Sequence, residues 1–249
     1  MATTVQTRAT SGRRPAEPDA TRRTAFVGGF FYVLTFASSI VALLLIKPAV
    51  DDASYIVSGG ADTRVLWGCF LDLVNAFAGV GSAVALYSVV KRQHEGFALG
   101  FVTTRIYEMA VIMIGVVSLF AVVTLRQEGV TGADSTSLVT AGRTLVAVRD
   151  WSFLLGPGFI AGLNALLLGT LLYRSRLVPR VIPTMGLVGA PIFLTSSIAT
   201  IVGATEMGSI WSPAGAPVAL IFVWELSLGI YLMVKGFKPS AITAEDLAA

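Results

Sequence analysis

Residues 97–125 read FALGFVTTRIYEMAVIMIGVVSLFAVVTL, an apolar run that is polar only near its start. A helix of this length, rising 1.5 Å per residue, is long enough to cross the ~30 Å hydrocarbon core of a bilayer. Two charged side chains, Arg105 and Glu108, interrupt the run. A charge at the bilayer centre costs on the order of 3 kcal/mol, so both groups must be buried inside a helix bundle or must reach a polar cavity.

The rest of the chain has the same character. Of 249 residues, 55% are hydrophobic and 13% are charged, whereas roughly a quarter are charged in soluble domains. A soluble protein of this size could not bury so much apolar surface in one core. The formal charge of +3 does not indicate nucleic-acid binding, because the basic residues lie mostly at the ends of apolar runs. We therefore expect an all-α integral membrane bundle whose partner is the lipid bilayer, with no nucleic-acid partner.

Six apolar runs predict six transmembrane helices. They are Ala25–Ile46, Val65–Val90, Phe97–Leu125, Trp151–Tyr173, Val181–Val202 and Pro217–Val234. Residues 25–237 form the predicted six-helix transmembrane domain, between a disordered basic cytoplasmic tail (1–24) and a short cytoplasmic tail (238–249). Residues 126–150 carry apolar side chains at helical spacing, which fits either a short interfacial helix or an N-terminal extension of the fourth span.

The distribution of lysine and arginine predicts the orientation of the bundle. Twelve of them lie in the two tails and in the connections that follow the second and fourth spans, against five in the other three connections. Connections rich in lysine and arginine stay in the cytoplasm. Both termini are therefore predicted to be cytoplasmic, in a multi-pass protein of the cell membrane.

Polar side chains inside the predicted spans form the candidate site. They are Asp72, Asn75, Arg105, Glu108, Asn164 and Glu225. Their depths, counted from the span ends at 1.5 Å per residue, are compatible with one polar layer. The first two stand three residues apart, as do the next two, so each of these pairs shares one face of its helix.

Arg105 is the only cation inside the predicted spans, and three carboxylates compete for it. Asp72 or Glu108 is predicted to be its partner. Glu225 is then the carboxylate without a cation, and it is the group expected to bind a proton or a cation.

Two prolines stand inside predicted spans and are expected to bend their helices. Pro157, between Gly156 and Gly158, and Pro191 should each free a backbone carbonyl group. Such breaks occur at the binding sites of transporters, and more often as static bends that neighbouring side chains fill.

The sequence offers few groups suited to catalysis. Its one histidine, His94, lies in a predicted loop, which excludes a multi-histidine metal site. No Walker A or dinucleotide-binding glycine pattern stands in a strand–helix setting. An intramembrane protease with paired aspartates would need a partner for Asp72, and the spans contain no second aspartate. We therefore predict no metal and no cofactor, and an enzyme is not the favoured interpretation.

Several segments resemble a known family. In the first half they are Ala61–Leu66, Ala85–Tyr87, Lys91–Gln93 and Gly96–Phe101, and in the second half Leu154–Gly158, Leu177–Arg180 and Glu225–Ile230. They are similar to a family of bacterial multi-pass membrane proteins known as domain of unknown function 4386, from about Arg22 to Phe237. The resemblance implies a bacterial integral membrane protein. It implies no activity and no catalytic residue, because none is assigned in that family.

Two classes of function stay open at this point. In the first, the protein binds or transports a small molecule, an ion or a lipid through the buried polar site. In the second, it is a non-catalytic membrane component that binds a partner protein, and the buried charges only hold helices together. A polar cavity open to one side would favour the first class, and a dry core with every charge paired would favour the second.

Overall fold

The computed structural model describes residues 18–52, 54–58, 60, 62–128 and 134–240. The regular elements of these ranges are all helices, which confirms the prediction of an all-α fold. They are α1 (Pro18–Asp51), α2 (Asp62–Val90), α3 (Glu95–Gln127), α4 (Ser135–Leu155), a π-helical turn (Gly156–Ile160), α5 (Ala161–Ser175), α6 (Val181–Ile201) and α7 (Val218–Val234).

Five helical segments of the described ranges are long and apolar enough to cross a membrane. They are Ala20–Asp51, Asp62–Val90, Glu95–Gln127, Ser135–Ser175 and Val181–Ile201. The last helix, α7, is also apolar but has only 17 residues. These residues cover roughly 25 Å, which is less than the ~30 Å hydrocarbon core. The structure therefore gives five helices of membrane-spanning length and one shorter apolar helix.

Two helices begin at least six residues earlier than the sequence predicts. Proline is favoured at the first position of a helix, and α1 begins at Pro18, so residues 18–24 of the predicted disordered tail are helical. The remainder of that tail lies outside the described residues. The second of these helices corresponds to the fourth predicted span: α4 begins at Ser135 and continues through the π turn into α5. The fourth predicted span thus has an N-terminal extension and not a separate interfacial helix.

The bundle closes on itself. Each of α1, α2 and α3 packs against the helix that follows it, as do α5 and α6, while α1 also packs against α7 and α3 against α5. The end of the bundle where α1 begins and α7 ends is called the terminal end here, and the opposite end is called the distal end. Each end has its own cluster of buried apolar side chains, which includes Phe101 and Trp224 at the terminal end and Ile46 and Leu119 at the distal end.

The loop between α1 and α2 is bound to α3 at the distal end. Arg126 of α3 donates to the carbonyl oxygen of Tyr55 at 3.1 Å and pairs with Asp62. The Tyr55 hydroxyl donates to Asp62 Oδ1 at 2.8 Å, and burial raises the pKa of this hydroxyl above its ordinary value. Asp52 accepts from the hydroxyl and amide of Ser54, which hold the pKa of that carboxyl below its usual range. These contacts fix where α1 and α2 meet α3.

Arg22 joins the first helix to the last at the terminal end. Its Nη1 donates to the carbonyl oxygen of Leu232 at 3.2 Å. Its Nη2 donates to the carbonyl oxygens of Met233 at 2.8 Å and Val234 at 3.2 Å. These carbonyls belong to the last turn of α7, where a cation also interacts favourably with the helix dipole.

We expect Arg22→Ala to lower the free energy of unfolding by about 1 kcal/mol, because the last carbonyls of α7 lose their cationic partner. Arg23, the exposed neighbouring residue, supplies the control, and Arg23→Ala should leave stability unchanged. The measurement is reversible unfolding of each variant in mixed detergent micelles. Equal losses in the two variants would contradict a specific contact of Arg22 with α7.

Candidate functional site

Arg105 of α3 is the centre of a buried group of ion pairs. Its Nη1 lies 2.9 Å from Oε2 of Glu108, and its Nη2 lies 3.5 Å from Oε1 of Glu225. Arg105 and Glu108 share a face of α3 because they stand three residues apart. The guanidinium side chain is only 3% exposed, so the two carboxylates and not solvent compensate its charge.

A chain of hydrogen bonds connects this group to α5. Asn164 Nδ2 donates to Glu108 Oε2 at 2.6 Å. The Thr104 hydroxyl in turn donates to Asn164 Oδ1 at 2.5 Å. Both the oxygen and the nitrogen of the Asn164 amide are therefore bonded, as a fully buried amide requires. These contacts fix α3 against α5 beside the ion pairs.

Tyr32 of α1 covers another side of the guanidinium. Its ring centroid lies 5.1 Å from Cζ of Arg105, which is within the range of a cation–π contact. Two buried polar groups here have no hydrogen-bond partner among the described residues, namely Arg105 Nε and the Tyr32 hydroxyl. Such groups are uncommon in native proteins. The site thus keeps polar atoms that its own side chains do not satisfy.

A cavity of about 340 Å³ lies beside the ion pairs, between the two apolar clusters. Its lining includes five of the six predicted site residues, namely Asp72, Asn75, Arg105, Glu108 and Glu225. The sixth, Asn164, is bonded to Glu108 and does not line the cavity. The volume falls in the range of small-molecule sites, which is about 300–1,000 Å³.

Asp72 is the carboxylate that the ion pairs leave out. Among the described residues it has no hydrogen bond and no ion pair, and the opposite charge that acts on it is that of Arg149 of α4. Arg149 also lines the cavity and pairs with Asp150 at 3.2 Å. The prediction that Glu225 would lack a cation is therefore wrong, because α7 turns Glu225 toward Arg105. Depth along a span does not fix the rotation of a helix about its axis.

The cavity wall is mostly apolar and partly aromatic. Its lining includes four phenylalanines, which are Phe36, Phe153, Phe193 and Phe222. The rings of Phe36 on α1 and Phe222 on α7 meet edge to face, with centroids 4.6 Å apart. Apolar walls with a few polar groups at fixed positions are typical of sites for organic molecules. Among the described residues, no group of three or more His, Cys, Asp or Glu side chains is arranged to hold a metal ion.

Residues of the π turn also line the cavity. Pro157 and Gly158 both line the cavity, and the hydroxyl of Ser197 on α6 donates to the carbonyl oxygen of Gly158. The irregularity predicted at Pro157 is therefore a π-helical turn, and a neighbouring helix satisfies one of its carbonyl groups. The other proline, Pro191, lies inside α6, which stays helical on both sides of it.

Three residues outside the predicted set also belong to the site. Arg149 precedes the predicted fourth span, but α4 begins about four turns earlier, so Arg149 lies well inside a helix. Thr104 stands in an apolar run, where a threonine hydroxyl commonly bonds only to its own helix. Tyr32 is one aromatic residue among several in α1. The helical spacing of apolar residues in 126–150 was the one signal that could have placed Arg149 on a helix.

The comparisons with known proteins agree with the resemblance described above. No curated protein and no solved structure matches the chain. A family does, and its match includes every residue that lines the cavity. The chain belongs to the family described as domain of unknown function (DUF4386), whose sequence model matches residues 27–236.

Proposed function

We propose that this protein is a membrane protein that binds a small molecule in the cavity inside the helix bundle. The observation that carries the proposal is the cavity itself, about 340 Å³ with charged side chains on a mostly apolar wall. Charged groups at such depth are expensive in lipid, and membrane proteins commonly keep them for substrates, ions or ligands. The absence of an ion pair at Asp72 among the described residues distinguishes this site from a purely structural set of charges.

The proposal includes a topology. We place the protein in the cell membrane with six spans, counting α7 as the sixth, and with both termini in the cytoplasm. The excess of lysine and arginine at the terminal end supports this orientation. In this orientation the distal end faces outward.

The alternative is a membrane component that binds a partner protein, with structural buried charges. The contacts of Arg105 with Glu108 and Glu225 fit that role, because each charge in this group has an opposite partner. That structural role does not require Asp72, Arg149 or the cavity. We therefore favour the binding of a small molecule.

The test uses a variant that fills the cavity. Ser39 lines the cavity, and its hydroxyl bonds only within α1, to the carbonyl oxygen of Phe36 at 3.3 Å. A tryptophan at this position adds a large side chain to the wall without breaking a contact between helices. We expect an organic molecule to copurify with the detergent-extracted wild-type protein and to be absent from Ser39→Trp, as measured by mass spectrometry of the extracted sample.

Ser88→Trp is the matched control. Ser88 is exposed on α2, bonds only to the carbonyl oxygen of Ala85 in its own helix, and does not line the cavity. This variant should retain the copurifying molecule. The wild-type protein and both variants could instead carry no organic molecule and each copurify with a partner protein in stoichiometric amount. That result would contradict the proposed function and support the alternative.

A further inference from the structure

We infer that the cavity selects an organic cation with an apolar body. This inference rests on the proposed function, since it names the chemical class of the molecule that the cavity binds. It follows from the balance of charges on the wall, from the aromatic rings and from the volume.

The charged groups on the wall have a negative balance. Three carboxylates (Asp72, Glu108 and Glu225) face two guanidinium groups (Arg105 and Arg149), which gives a net charge of −1 when all are ionised. The guanidinium groups are also more fully engaged than the carboxylates. Arg105 is shared by Glu108 and Glu225, and Arg149 is paired with Asp150, which does not line this cavity.

Asp72 is the group expected to hold the cation. It lies on the wall without a hydrogen bond or an ion pair within the described part of the chain. A positively charged group placed against it would gain a charge-assisted contact in a region of low dielectric. An anion would instead meet Asp72 and two guanidinium groups that carboxylates already occupy, so its burial would lack compensation.

Three phenylalanines of the wall (Phe36, Phe193 and Phe222) suit the same class of ligand, whereas the ring of Phe153 already lies against the Arg149 guanidinium, with 4.9 Å between Cζ and the ring centroid. The face of an aromatic ring attracts ammonium groups, including quaternary ones that donate no hydrogen bond. The remaining apolar wall suits a hydrocarbon body attached to that group. A volume of about 340 Å³ accommodates a compact organic molecule.

Two probes of similar size and opposite charge test the inference. Benzyltrimethylammonium and phenylmethanesulfonate both carry a benzyl group. Binding of each to the purified full-length protein is measured by isothermal titration calorimetry in a nonionic detergent. We expect the wild-type protein to bind the cation at least roughly tenfold more tightly than the anion, and we expect Asp72→Asn to lose this preference.

Two further variants make the result specific. Asp134→Asn removes the same charge at an exposed position near the start of α4 and should bind the cation like the wild-type protein. Asp72→Glu keeps the charge and should retain the preference for the cation. The thermal unfolding midpoint of each variant, compared with that of the wild-type protein, separates a loss of binding from a loss of folding.

The outcomes also separate this inference from the proposed function. Equal affinity for the two probes, with both excluded by Ser39→Trp, would overturn the charge selection and leave the cavity as a binding site. Unchanged selectivity in Asp72→Asn would overturn the role of Asp72. If neither probe binds and no molecule copurifies with the wild-type protein, both the inference and the proposed function are wrong.

Discussion

Replacing Arg105 with methionine is expected to lower the free energy of unfolding by about 3–5 kcal/mol. The change keeps a long side chain that packs in the same space but removes the cation shared by Glu108 and Glu225. Two carboxylates would then be buried side by side without compensation, and only the Asn164 amide would still bond to one of them. Removing one partner of a buried charge pair is costly for this reason, even where the intact pair contributes little net stability.

Reversible unfolding in mixed detergent micelles measures this loss. The control is Arg143→Met, because Arg143 is an exposed arginine of α4 that does not line the cavity beside the ion pairs. The triple variant Arg105→Met, Glu108→Gln, Glu225→Gln removes all three charges and should recover a large part of the lost stability. If Arg105→Met unfolds like Arg143→Met, the three charges do not depend on one another as the distances indicate.

The fold follows closely from the apolar runs because a long uninterrupted apolar run is a strong signal for a membrane-spanning helix. All six predicted runs are helices in the structure, in the predicted order. The ends are less well predicted. Apolar patterning alone cannot show that Arg22 binds the last carbonyls of α7, which favours a helical start of α1 before Ala25. It also cannot show that α4 begins at Ser135, since that segment is less apolar than a span.

The site was predictable where local spacing decides the geometry. Arg105 and Glu108 stand three residues apart on one helix, and the ion pair between them follows directly. The partner of Glu225 was not predictable, because it depends on how α7 is rotated against α3. The same uncertainty applies to Asp72, whose depth in α2 is readable from the sequence but whose position on the cavity wall is set by packing among helices.

That rotation depends on the close approach of α1 to α7. A Cβ atom at Gly29 would lie 2.6 Å from the carbonyl oxygen of Gly229 and 2.8 Å from the amide nitrogen of Met233. Both are backbone atoms, which cannot move aside as a side chain can. Tyr32 lies about one turn after Gly29, and Glu225 lies about one turn before Gly229. The crossing of these helices therefore places both of these side chains against Arg105.

We expect Gly29→Ala to lower the free energy of unfolding by about 1–3 kcal/mol, because the added methyl group forces the two backbones apart. Gly100→Ala is the matched control. A Cβ atom there meets the Leu167 side chain at 3.5 Å, an ordinary contact, and alanine favours a helix over glycine by about 0.5–1 kcal/mol. In mixed micelles, the free energy of unfolding should therefore fall for Gly29→Ala and rise for Gly100→Ala.

Since Gly29→Ala also moves α7, it should weaken the contact of Glu225 with Arg105. Adding Glu225→Gln should therefore cost less stability in this background than in the wild-type protein. Equal costs in the two backgrounds would show that the glycine crossing does not control the position of Glu225.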